Sequence, residues 1–132
     1  MTGLLIAAAL TLVPPEVMET ARLQGFWRVF AVEESGVPWP EELVRKTRQG
    51  YVIEGSTITA LYEGTRLTPG WLWLDPTETP RAIDIHGYQC IYEWDGSRLK
   101  LGIVKSRREP RPTGFRWREG ADRVVILERG RP

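Results

Sequence analysis

The stretch that decides the fold is Gly25-Phe26-Trp27-Arg28-Val29-Phe30-Ala31-Val32. Its apolar period is two, which puts Trp27, Val29 and Ala31 on one face of an extended chain. The same reading extends outward in short runs. Tyr51 to Glu54 breaks at Gly55-Ser56, Thr57 to Tyr62 at Glu63-Gly64, and Gly70 to Leu74 at Asp75-Pro76-Thr77-Glu78-Thr79-Pro80. Ala82 to His86 ends at Gly87, and Tyr88 to Trp94 ends at Asp95-Gly96, two residues that tolerate a positive φ and so signal a hairpin. Arg98 to Val104 follows, with Leu99, Leu101 and Ile103 on one face, then Phe115 to Arg118 and Arg123 to Arg129. Eight or nine short strands joined by tight turns point to an antiparallel up-and-down barrel or a sandwich. No βαβ alternation is visible, which argues against a parallel sheet.

One segment departs from this period. Pro40 to Gln49 reads as a helix, with proline in its first turn, Glu41 and Glu42 at its positive end, and Arg45, Lys46 and Arg48 at its negative end. Glu41–Arg45 and Glu42–Lys46 have the i,i+4 spacing of ion pairs, and Gly50 is the expected terminator.

The chain of 132 residues is the length of one domain. With 18 Lys+Arg against 17 Asp+Glu, its net charge of +1 gives no global pull toward nucleic acid. One Cys excludes an intrachain disulfide and a thiolate metal cluster, and one His excludes a His-rich metal site. The expectation is therefore no metal, no cofactor and no catalytic residue. Leu4 to Val13 is an uncharged apolar run, too short for a bilayer span but suited to the h-region of a signal peptide. No basic residue precedes it and Pro14-Pro15 follows. Residues 1–22 are read as a signal peptide or disordered leader, and 23–130 as the domain. The domain is expected to be exported, periplasmic or extracellular, or cytoplasmic if the run is not a signal.

Five stretches, in order, resemble one family. Leu23-Gln24-Gly25-Phe26-Trp27-Arg28-Val29 is similar to the opening of the planctomycete lipocalin-like domains of unknown function. Val52-Ile53-Glu54-Gly55 with Thr57-Ile58-Thr59, Leu74-Asp75-Pro76-Thr77 with Pro80-Arg81-Ala82-Ile83-Asp84, Ile91-Tyr92-Glu93-Trp94-Asp95-Gly96 with Leu99-Lys100-Leu101, and Arg111-Pro112-Thr113-Gly114-Phe115 continue the likeness. The resemblance implies an all-β, antiparallel lipocalin-like barrel of about eight strands, with one short helix between the first two, usually exported and without assigned activity. It implies that Gly25-x-Trp27 closes one barrel end, with Arg129, or failing it Arg131, packed on the Trp27 ring. The chain departs from the pattern at Cys90, where a glycine is expected, and after Leu101, where Gly102-Ile103-Val104-Lys105-Ser106-Arg107-Arg108 replaces an apolar run.

Candidate sites follow from the residues. Trp71 and Trp73 share one face of a strand, with Leu72 and Leu74 on the other. Tyr88, Cys90, Tyr92 and Trp94 form a second row. If these rows face a hollow lumen, Trp71, Trp73, Tyr88, Tyr92 and Trp94 would line a pocket for a small apolar or planar ligand. If the interior is small they fill it, the outcome favoured for eight strands. Cys90 itself reads as a small buried hydrophobe.

Lys105, Arg107, Arg108, Arg111, Arg116 and Arg118 face only Glu109 in the segment 105–118, a basic loop suited to an anionic polymer or protein partner or to plain solvation. In its expected strand, Phe115 and Trp117 would form an aromatic face opposite Arg116 and Arg118. Nucleic acid is disfavoured by the overall charge. Asp84 and His86 share a face, the one pairing that offers acid–base chemistry, but no nucleophile sits at a recognisable elbow. The reading is thus a non-catalytic binding module, with a filled barrel acting through its basic loop as the alternative.

Overall fold

Alternating residues and glycine-bearing turns produce the strands the sequence implies. The computed structural model describes residues 13–131. Helix α1 (Pro15–Leu23) leads into β1 (Gly25–Glu34) and β2 (Val37–Pro38). Helix α2 (Glu41–Thr47) precedes β3 (Gly50–Glu54), β4 (Thr57–Tyr62), β5 (Thr65–Arg66), β6 (Gly70–Asp75), β7 (Arg81–Ile85), β8 (Tyr88–Asp95) and β9 (Arg98–Ile103). A 3-10 turn (Trp117–Glu119) precedes β10 (Arg123–Arg129). The wall runs β1-β3-β4-β6-β7-β8-β9-β10, all neighbours antiparallel, and β10 pairs back with β1. The protein is a closed eight-stranded up-and-down barrel, with β2 and β5 as short ribbons at its rim.

The interior is occupied by side chains. Trp27, Ile53, Ile83, Cys90, Tyr92, Leu99, Leu101, Val125 and Leu127 are fully buried in one cluster. Burying such side chains contributes about 1.5–3 kcal/mol each before conformational entropy is set against it. In β1 the expected alternation fails halfway. Val29 pairs with Leu127 but Ala31 pairs with Ile126, so Phe30 is an extra, bulged residue. Beyond the bulge Val32, and not Ala31, enters the core.

Three further expectations are corrected. Gly50 does not end α2: Arg48 takes the left-handed conformation (φ +42°), while Gly50 begins β3. A Cβ on Gly50 would meet the Trp27 carbonyl oxygen at 2.9 Å and the Phe26 ring at 3.0 Å, which explains the glycine. Neither Glu41–Arg45 nor Glu42–Lys46 forms one of the ion pairs found among the described residues. Phe115 to Arg118 is not a strand. Barrel closure leaves β9 and β10 paired on both sides, so no sheet edge is free to receive it. Instead the Arg116 N–H donates to the Glu119 carboxylate at 3.2 Å, and the chain curls into the 3-10 turn.

Residues Pro15–Leu23 form a helix whose last residue is fully buried in the barrel cluster. The apolar run read as a signal peptide, Val13 apart, lies outside the described residues. Among the described residues no helix is long and apolar enough to cross a membrane.

Candidate functional site

Gly25, Trp27 and Arg129 come together at the end of the barrel under α1. The last carbonyls of a helix lack intrahelical donors. Here the Trp27 indole Nε1 donates to the Leu23 oxygen at 2.8 Å. The Arg129 guanidinium donates to the Gln24 oxygen at 2.6 Å and to the Arg22 oxygen. Gln24 Nε2 donates to the Thr20 oxygen at 2.9 Å. A cation at the negative end of a helix is favourable as well. The Arg129 guanidinium also lies 4.2 Å from the Trp27 ring centroid. Gly25 has φ +111°, and a Cβ there would come within 3.4 Å of the Arg129 guanidinium. This constellation fastens α1 to the barrel floor. Arg131 takes no part in it.

The row on β8 points inward. Cys90 and Tyr92 are fully buried, with Tyr88 and Trp94 packed against the same cluster. Two of its polar atoms are already engaged: Tyr92 Oη and Trp94 Nε1 both donate to the Glu19 carboxylate of α1. Arg22 lies 3.7 Å above the Trp94 ring. Sequence reasoning did not single out Glu19, because its partners lie more than seventy residues away. Burial, with Glu19 adding to it, drives the Tyr92 hydroxyl far above the ordinary tyrosine range. Burial likewise holds the Cys90 thiol up at about 11, which keeps it protonated and unreactive near neutral pH.

Trp71 and Trp73 do not join that row. Leu72 and Leu74 hold the inward positions of β6, so the two indoles stand on the outer wall, 76% and 51% exposed. The lumen candidates therefore divide between opposite faces of the sheet. Beside the outer pair the basic loop is anchored to the wall. Arg111 Nη1 donates to the Cys90 oxygen at 2.6 Å, and its Nη2 sits 2.7 Å from Asp84 Oδ1. That second contact falls outside hydrogen-bond geometry, so the buried oxygen is met by charge alone. Arg111 also lies 5.8 Å from the Trp73 ring.

Arg107 Nε donates to the His86 oxygen at 2.8 Å and covers the Tyr88 ring at 4.8 Å. Lys105, Arg108 and Arg116 remain exposed. Beneath the loop, Gly102 lets Ile91 and Phe115 close over β9: a Cβ there would lie 2.8 Å from Ile91 Cγ1.

Asp84 thus serves Arg111 rather than His86, whose backbone turns through φ +51° at the β7–β8 corner. Trp39 donates from Nε1 to the Glu34 carboxylate at 3.0 Å and lies 5.4 Å from the Arg123 guanidinium. The Trp39 hydrogen bond, aided by Arg123, holds the Glu34 carboxyl below its usual range.

Among the described residues, clefts open outside the core. One, of about 390 Å³, runs between Trp73, Thr79, Pro80 and the Arg111–Thr113 segment. Another, of about 590 Å³, lies between β1 and α2. A scan against protein-family models and a search of curated proteins return no match.

Proposed function

We propose that this chain is a non-catalytic, extracytoplasmic binding module whose filled barrel presents an outer aromatic and basic face to an anionic polymer. The observation that carries the reading is the exposure of Trp71 and Trp73 on one face of β6. Large apolar rings exposed side by side mark interaction surfaces, whereas scattered single ones do not. The rings can stack on flat polymer units. Exposed Lys105 and Arg108, carried by the loop that Arg107 and Arg111 anchor, supply the countercharge. The packed interior favours this outer face over a lumen ligand, since Tyr88, Tyr92 and Trp94 already serve the core and α1. The sequence resemblance to planctomycete lipocalin-like domains, which are usually exported, supports the extracytoplasmic setting.

Heparin-affinity chromatography tests the reading. The full chain should be retained at low salt and released as salt screens the contacts. Trp71→Ala/Trp73→Ala and Lys105→Ala/Arg108→Ala should each elute earlier. Undiminished retention of both variants would reject the outer face. For the setting, N-terminal sequencing of the mature protein should start after the apolar run, and an intact Met1 in a cytosolic fraction would reject export.

A further inference from the structure

We propose a second site, independent of the aromatic face: the groove between β1 and α2 binds a free, single-chain amphipathic anion, such as a medium-chain carboxylic acid. The groove opens beside Phe30, the bulged residue, where the β1–β3 ladder ends. β1 pairs with β3 from Gly25 to Arg28, and the Val29 N–H continues that register to the Gln49 oxygen. Beyond it the chain has left β3 for α2, and the space between β1 and α2 stays open. The remaining space, about 590 Å³, falls within the roughly 300–1,000 Å³ of ordinary small-molecule sites.

Its lining has two characters. Phe26, Phe30, Val44 and Leu61 supply an apolar bed. Phe30 remains 47% exposed, with Arg98 stacked 3.8 Å from its ring centroid. Around this bed stand Arg28, Arg45, Arg48 and Arg131, against Glu41 and Glu128. Glu128 is already shared by Arg28 and Arg98. Arg48 Nη2 donates to the Glu63 oxygen at 3.1 Å. Arg45 and Arg131 have no carboxylate among the ion pairs formed by the described residues.

An apolar bed beside two uncommitted guanidinium groups matches a ligand with an apolar body and an anionic head. A cationic amphiphile of the same length would meet the same bed and the wrong charge. In the barrel ring β1 lies opposite β7, so this site and the Trp71–Trp73 face lie on different sides of the molecule.

The test titrates dodecanoate, below its micellar concentration, into the full chain, read by calorimetry and methyl NMR. Saturable one-to-one binding is expected, with shifts at the Val44 and Leu61 methyls and not at Ile83 or Leu101. Dodecyltrimethylammonium should bind at least about tenfold more weakly, as should dodecanoate to Arg45→Glu/Arg131→Glu, the scale of one lost charge-assisted contact. Both arginines are exposed, and unchanged circular dichroism will show that the variant folds. Trp71→Ala/Trp73→Ala should bind dodecanoate normally even if it loses heparin retention. Equal binding of the two amphiphiles, undiminished binding by the double-glutamate variant, shifts centred on Ile83 and Leu101, or no saturable binding would each overturn the proposal. So would capture on phosphatidylglycerol vesicles without binding of free dodecanoate, which would assign the groove to a membrane surface instead.

Discussion

Replacing Trp27 by alanine removes the centre of the arrangement that joins α1 to the barrel. The side chain is wholly buried, and truncating a large buried aromatic costs about 3–5 kcal/mol. The structure indicates where that loss arises. The Leu23 carbonyl loses its indole donor, a penalty of about 1–3 kcal/mol if no water replaces it. The tilted contact with Trp94, 5.8 Å between centroids, contributes about 0.5–1.5 kcal/mol beyond burial. The Arg129 contact adds about 0.5–1 kcal/mol, since that guanidinium is partly in water. These parts share partners and do not simply add.

Urea unfolding followed by circular dichroism is the assay, because removing an indole alters fluorescence directly. Against a total stability of about 5–15 kcal/mol, the midpoint shift will be large. Trp27→Phe separates the contributions: it keeps most of the ring and loses the donor, so it should cost about 1–3 kcal/mol. It should also speed hydrogen exchange in the last turn of α1 while leaving β8 and β9 protected. A loss below about 1 kcal/mol for Trp27→Ala, under the usual range for such truncations, would refute the reasoning.

Arg111→Ala should cost about 1–3 kcal/mol in the same titration and loosen the loop, because it strands the Cys90 carbonyl and Asp84. Arg111→Lys should not restore it, since an ammonium cannot bridge both partners with a fixed fork; full rescue would count against this geometry. Cys90 should react with dithiobisnitrobenzoate at pH 8 far more slowly in the native protein than in urea, as its thiol is held up at about 11, and equal rates would contradict its burial. Burial raises the Tyr92 and Tyr51 hydroxyls above their ordinary value of 10.0. Their contribution to stability is therefore complete below pH 10 and is lost as pH rises toward the folded-state values. Tyr92→Phe should flatten that alkaline loss, and an unchanged pH profile would show that Tyr92 does not govern it.

Much of the fold was legible because its signals are local. Each glycine-marked turn and each two-residue alternation can be read within a few neighbours, and every run but Phe115 to Arg118 gave a strand. The reading failed where the deciding partner is distant. Phe115 to Arg118 has the alternation of a strand, but β9 and β10 already occupy each other and their outer neighbours. Asp84 and His86 share a strand face, but Arg111, from another loop, pairs with the carboxylate, a partner no local pattern reveals. The N-terminal helix could not be placed without Glu19 meeting Tyr92 and Trp94 across the chain.

From the sequence alone come the strand period, the antiparallel class and the early helix. Tertiary structure alone decided which face of β6 is inside. Leucine and tryptophan are both apolar, so alternation separates two faces without saying which is buried. Only closure of β10 onto β1 sets a fixed interior, and Leu72 and Leu74 pack there while Trp71 and Trp73 remain outside. The bulge at Phe30 is likewise a matter of register between distant strands, and Phe30 lines a groove that no local pattern announces.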